Sequence, residues 1–273
     1  MKYSGLYFIS NPSTSVEAAL STVTSLTQNI ETSFLNATRQ SPWTLSYRAF
    51  RDVIPPGYQP PTGPDGKPKP YVHSYQHLLH LSTLASNRTY VYAQPAEQPA
   101  TTASIPLRQQ DAHASMLRNQ SSALWAPRHV LAVREGSSYT AGLCTIQIGE
   151  LRATREGPQS GALLSPGVVL CITTVVGADE SDNDIESGYT SLENGAATDN
   201  TNIKKEEGDK EDEVDFTYAQ SVIRECWNTI KQGKDLGRSE VREFMMAPKA
   251  EANKEKQREL AVHMWCDALR IRG

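Results

Sequence analysis

No two cysteines of this chain are close in sequence. Cys144, Cys171, Cys226 and Cys266 form no C-x-x-C pair, and two of them sit inside apolar runs. That argues against a disulfide framework or a zinc ribbon, and buried free thiols are expected. Long apolar runs are absent as well: none approaches the ~18 residues of a membrane span, and no charged segment followed by an apolar one opens the chain. A soluble intracellular protein is therefore expected, in which the glycosylation-like triplets at Asn36, Asn87 and Asn119 are chance matches. Catalytic signatures are missing too. There is no G-x-S-x-G elbow, no phosphate-cradling glycine loop and no H-E-x-x-H. His73, His77 and His80 have metal-like spacing, but no carboxylate or cysteine lies beside them in sequence to complete a ligand set. No enzyme, no cofactor and no metal is expected.

What is present is enough for a core. The 273 residues are 38% hydrophobic, and the strongest signal lies between Trp125 and Val176. Arg128 to Arg134 alternates, and Glu135-Gly136-Ser137-Ser138 is expected to break it as a hairpin. A second alternating run follows Tyr139, and a third, Val168 to Val176, is almost wholly β-branched. Ile146, Ile148, Val169 and Cys171 are expected to face the interior of the resulting antiparallel sheet. Upstream, Gly5 to Ile9 reads as a strand, Thr14 and Glu17 as a capping box, and Val16, Leu20, Val23, Ile30 and Phe34 as the stripe of a helix. Trp43 to Phe50 alternates before the proline-rich loop 55–70, and Tyr71 to Tyr92 reads as two strands about a Ser86-Asn87-Arg88 turn. Gln94 to Gln110 reads as loop, followed by a short helix over Gln109 to Ser122.

Beyond Val176 the character changes. Residues 177–215 hold 14 Asp or Glu and 3 Lys, a local charge of −11, with Tyr189 as the only aromatic. Such a stretch buries too little to offset chain entropy, so a disordered acidic insert is expected. The whole chain carries −4, so the remainder carries −4 − (−11) = +7. Two C-terminal helices are expected, 216–232 and 253–272, with a loop or helical turn between them. Trp227 on the first, and Trp265 and Leu269 on the second, are the candidate partner-binding residues; a Trp on an amphipathic helix is more often core, and a partner groove is the alternative to that reading.

An ordered set of segments carries a family resemblance. Gly5-Leu6-Tyr7-Phe8-Ile9, the block Ser74 to Ser82, Trp125 with Pro127 and Arg128, Tyr139, Ile148-Gly149-Glu150-Leu151-Arg152 and Gly167-Val168-Val169 together resemble subunit 20 of the Mediator complex. The resemblance covers most of the chain outside the loops, 1–273 as a single domain. It implies an α+β fold, an antiparallel barrel-like β-sheet with flanking helices. It also implies a non-enzymatic nuclear subunit of the head module that pairs with Mediator subunit 18, contacts other head-module subunits and serves the RNA polymerase II machinery indirectly. No small-molecule substrate and no membrane are implied. The paired β domains of subunits 18 and 20 resemble tunnel-shaped RNA triphosphatases, which hold metal on Glu-x-Glu strands; here that pattern occurs only as Glu211 and Glu213, inside the acidic stretch. The alternative is a nucleic-acid-binding β domain related to the TATA-binding fold, which the +7 remainder would suit. Its basic residues gather with aromatics on no one strand, so direct DNA binding is not expected.

Overall fold

The computed structural model describes residues 2–62, 64–154, 164–176, 205–248 and 253–270, with the side chains of 205–215 outside that set. Nine antiparallel strands form one open sheet. In chain order they are β1 (Lys2–Ser10), β2 (Thr38–Asp52), β3 (Tyr75–Leu81), β4 (Arg88–Gln94), β5 (Thr101–Pro106), β6 (Trp125–Ala141), β7 (Cys144–Thr154), β8 (Leu164–Val175) and β9 (Val241–Met245). Their spatial order is β5-β4-β3-β2-β6-β7-β8-β1-β9, so β5 and β9 are the edges. Among the described residues four α-helices complete the fold: α1 (Val16–Ser33), α2 (Gln110–Ser115), α3 (Lys205–Lys231) and α4 (Lys254–Leu269).

Register decides what lies on each face, because residues paired across antiparallel strands share one. Tyr7 pairs with Leu170, Leu170 with Ile148, and the Tyr7 ring stacks on Trp227 of α3 at 4.6 Å. That face, over β7, β8 and β1, is the one α1 and α3 cover. Phe8 pairs with Val169 and Val169 with Gly149, which lies against Trp43; the Trp43 ring in turn meets Trp265 of α4 at 5.9 Å. The second face therefore belongs to α4. Ile146 and Ile148 consequently point toward α1 and α3, while Val169 and Cys171 point toward α4. All four are buried, but on opposite sides, because the sheet is covered twice and the expected common interior does not exist. A smaller core of Phe50, Leu78, Ala114 and Leu117 sits under α2 on the first face of the β2–β4 half.

Several local expectations are corrected. The 135–138 segment does not turn. β6 runs through it with a register shift against β7, and the hairpin falls at Gly142-Leu143, where Gly142 has φ +57 in the first turn position. No capping box forms at α1. Thr14 sits in the left-handed region at φ 53, Ser15 is the N-cap, and Asn11 Nδ2 donates to Ser15 O at 2.7 Å and Ser165 O at 2.9 Å. The buried residues of α1 are Ala19, Leu26 and Ile30, while Leu20 is exposed. Two strands appear where loops were expected. β5 pairs with β4 and β9 with β1; each is a short edge strand whose order comes from its neighbour's ladder, not from its own alternation. α3 begins at Lys205 instead of 216, since Lys- and Glu-rich sequence such as Glu206 and Lys210 favours the helix it precedes. Residues 177–204 of the expected insert lie outside the described residues. Within 53–74 the described pairing is a single isolated bridge, Thr62 to Pro68.

The C-terminus of α3 is held from α1. Asn29 Nδ2 donates to Ile230 O at 2.7 Å and to Gln232 O at 3.0 Å, satisfying carbonyls that a helix end leaves open, and Gly233 follows at φ +70. Asn29→Ala is therefore expected to cost about 1–2 kcal/mol, read as a lower denaturant midpoint at unchanged slope. A neutral result would show that water replaces the amide.

Candidate interaction surfaces

The three residues expected to meet a partner lie inside the molecule. Trp227 is 4% exposed, Trp265 2% and Leu269 0%. Trp227 lies on Tyr7, and Trp265 packs toward Trp43. An amphipathic stripe reports that a helix docks, not on what, and here both stripes are used by the chain's own sheet. Tyr218, near the start of the described side chains of α3, is exposed.

The histidines part company in the same way. His73 Nδ1 lies 2.6 Å from Asp52 Oδ1, His80 Nδ1 2.8 Å from the Arg88 carbonyl, and His77 shares a 2.8 Å hydrogen bond with the Tyr47 hydroxyl. Neighbours such as His77 and His80 fall on different strand faces or serve different partners. Among the described residues no three His, Cys, Asp or Glu side chains are placed to share a metal ion. All four cysteines are free and buried.

His77 is stacked among Tyr47, Tyr75 and Tyr92 under α4. Burial, helped by the charge of Arg270 and by His129, pushes its pKa down to about 3. The unfolded chain therefore binds a proton that the folded chain refuses between pH ~6.5 and about 3. Stability rises with pH through that window and is lost on acidification, by up to ~1.4 kcal/mol per pH unit for this one group. A denaturant midpoint that falls from pH 7 to pH 4.5, with a shallower fall in His77→Phe, is the expected measurement. Equal slopes would mean that His77 is not held neutral.

A cleft of about 650 Å³ lies beside the C-terminal end of α4. Five elements build it. Ala49 and Arg51 come from β2, Tyr75 from β3, Gln94 from β4, and Arg128 and His129 from β6; Arg270 is the C-cap of α4, and Tyr71 to His73 close the side. Arg128 reaches it through an irregularity in the ladder: Phe50 pairs with Pro127 and Ala49 with His129, so Arg128 is the extra residue between them. Such a bulge redirects a side chain. His129 Nε2 is bonded to the Leu269 carbonyl at 3.0 Å, and Arg270 donates to Gln94 Oε1 at 2.9 Å while lying 5.3 Å from the Tyr75 ring. The end of α4 is thus tied to β6, β4 and β3.

Among the described residues no carboxylate lines this cleft. Asp52, next to Arg51 in the chain, accepts from Tyr71 Oη at 2.9 Å and Ser74 N at 3.0 Å besides its contact with His73. Burial alone would raise its pKa, but these bonds outweigh burial and hold it below the ordinary value. Its acceptor capacity is used at home. Nothing in the sequence brings Arg51, Arg128 and Arg270 together; only the register of β2 against β6 and the stop of α4 do.

The sequence profile of one family, described as TATA-binding related factor (TRF) of subunit 20 of Mediator complex, matches residues 1–264. A search of curated proteins matched none to the chain. Among solved structures, the PH1819 protein from Pyrococcus horikoshii OT3 is similar with a TM-score of 0.30 and 10% identity, over 66% of this chain and 81% of that one.

Proposed function

The chain belongs to the Mediator subunit 20 family, and on that footing we propose that it is a non-enzymatic subunit of the Mediator head module that pairs with subunit 18 in the nucleus. Its family makes it a Mediator subunit concerned with transcription regulation. The observation that carries the reading is the family match over residues 1–264, nearly the whole chain, so that the sheet and most of α4 fall within it. The fold suits a presenting role. Among the described residues one sheet is covered on both faces, and its edges β5 and β9 carry unpaired backbone groups that a partner can cover. In this reading Trp227, Trp265 and Leu269 serve the partner surface from beneath, by fixing α3 and α4 so that their outward sides are presented in one geometry. The work is surface presentation: regulatory signals reach RNA polymerase II and the initiation machinery through contacts.

Coexpression with subunit 18 is expected to give a stable one-to-one complex burying at least ~1,000 Å². A soluble monomer that ignores subunit 18 would remove the pairing while leaving family membership intact. Triphosphate-ended RNA with manganese is expected to give no turnover. Glu150, the buried glutamate among the described strands, accepts from Arg152 Nε at 3.0 Å, an arrangement of structure and not of metal binding. Turnover abolished by Glu150→Gln would sink the non-enzymatic reading.

A further inference from the structure

We propose that the cleft beside the end of α4 binds an acidic peptide segment of a partner protein, with carboxylates taken by Arg51, Arg128 and Arg270 and apolar side chains by the surface next to it. The proposal concerns a different surface from the sheet edges and does not rest on pairing with subunit 18.

The charge comes first. Three guanidinium groups line one concavity in which the described residues place no acid. Asp267, one turn before Arg270 on α4, offsets part of this field. The Asp52 carboxylate is already engaged by Tyr71, His73 and Ser74. A carboxylate is the acceptor that the planar guanidinium fork fits best. Arg128 is exposed and delivered by a bulge, and Arg270 is held over Tyr75, so the donors come from three separate elements at fixed positions. Guanidinium groups held apart by strand register can read spaced acids along a chain.

The surroundings select a peptide over a bare anion. Val53, Ile54, Tyr58, Val72 and Leu124 are all large apolar residues left exposed. Two of them adjoin the cleft directly: Val72 lines it, and Tyr58 meets the cleft residue Tyr71 edge-on at 4.9 Å; Val53, whose N donates to Leu124 O at 2.9 Å, and Ile54 follow the cleft residue Arg51 in the chain. Isolated exposed apolar side chains need no explanation, but several grouped beside a cationic cleft mark a binding site. A nucleic acid would engage the arginines and stack on Tyr71, yet would leave the aliphatic side chains Val53, Ile54, Val72 and Leu124 in water. A segment alternating Asp or Glu with Leu and Phe uses both halves.

The test uses the full chain and a fluorescein-labelled 12-residue peptide with Glu or Asp at alternate positions and Leu or Phe between. Fluorescence anisotropy is expected to show saturable binding, weakened at least tenfold when Gln and Asn replace the acids and also weakened when Ser replaces the Leu and Phe. The variant Arg128→Glu with Arg270→Glu is expected to lose at least tenfold in affinity. The control pair Lys234→Glu with Arg238→Glu, equal in charge change but remote from the cleft, is expected to bind as the parent does. Arg128→Glu alone, at an exposed residue outside the ties that hold the end of α4, is expected to melt as the parent does and still to lose affinity, whereas the pair with Arg270→Glu also gives up the Gln94 bond and melts somewhat lower; Arg51→Gln gives a further readout that removes the charge and leaves a polar side chain. Absence of binding, or an equal loss in both charge-reversed pairs, overturns the proposal. So does tighter, cleft-dependent binding of a 12-nucleotide single strand, which would assign the arginines to phosphates.

Discussion

Removing residues 253–273 is expected to abolish cooperative folding. α4 is no appendage: Val262, Met264, Trp265, Cys266, Ala268 and Leu269 are all buried, and the helix reaches β1 and β9 at one side of the sheet and β3 and β4 at the other. Taking roughly 1.5–3 kcal/mol for each of Val262, Met264, Trp265 and Leu269, the four contribute about 6–12 kcal/mol. A whole domain has only ~5–15 kcal/mol to lose. Deletion would also bare Trp43, Tyr47, Leu79 and Tyr92, which are buried on the face that α4 covers. The histidine bonds to α4 would vanish with it, among them Thr102 Oγ1 to His263 Nε2 at 3.0 Å. The expected readouts are aggregation or a broad, non-cooperative melt with much of the far-ultraviolet strand signal retained. A sharp transition at the parental temperature would make α4 a passive tail and would return Trp265 and Leu269 to the partner.

The sequence shows why this helix was readable as a helix and not as a centre. Leu260, Met264 and Ala268 recur at helical spacing, which is enough to place α4. Nothing in that spacing distinguishes docking on the chain's own sheet from docking on another protein, and Trp265 and Leu269 satisfy either. The same holds for Trp227, whose partner Tyr7 is at the far end of the chain. Strands with their own alternation, β3, β4, β7 and β8, are legible locally. β9 and β5 are not, because a short edge strand is ordered by the ladder beside it, and neither Val241 to Met245 nor Thr101 to Pro106 alternates clearly. Face assignment also depends on register: one-residue offsets separate Ile148 from Val169, and only the pairing of Ile148 with Leu170 fixes them on opposite sides. The cleft is hidden for the deepest reason. Arg51, Arg128 and Arg270 are far apart in sequence, and each looks like an ordinary surface charge until five elements meet.

Trp43 carries the second large effect. It is fully buried between the sheet and α4, and its Nε1 donates to the Ser137 carbonyl at 3.1 Å and the Ile148 carbonyl at 3.3 Å, joining β2 to β6 and β7. Two glycines make room for the indole. A Cβ on Gly136 would strike the ring nitrogen, and one on Gly149 would stand 2.6 Å from Val133 Cγ1 and 3.1 Å from Trp43 Cζ2. This explains why β6 passes straight through Gly136 where a hairpin looked natural: the glycine serves close approach, not a turn. Trp43→Ala is expected to cost roughly 3–5 kcal/mol, lowering the melting temperature by about 6–20 °C for a chain of this size. Gly149→Ala should cost about 1–3 kcal/mol by overpacking. The two effects share one space, so they should not add. In a Trp43→Phe background, where the smaller ring leaves room, Gly149→Ala should cost measurably less, a coupling of at least ~0.5 kcal/mol in a double-mutant cycle. Strict additivity would mean that the glycine and the indole do not compete, and Val133 alone would then account for the strain at Gly149.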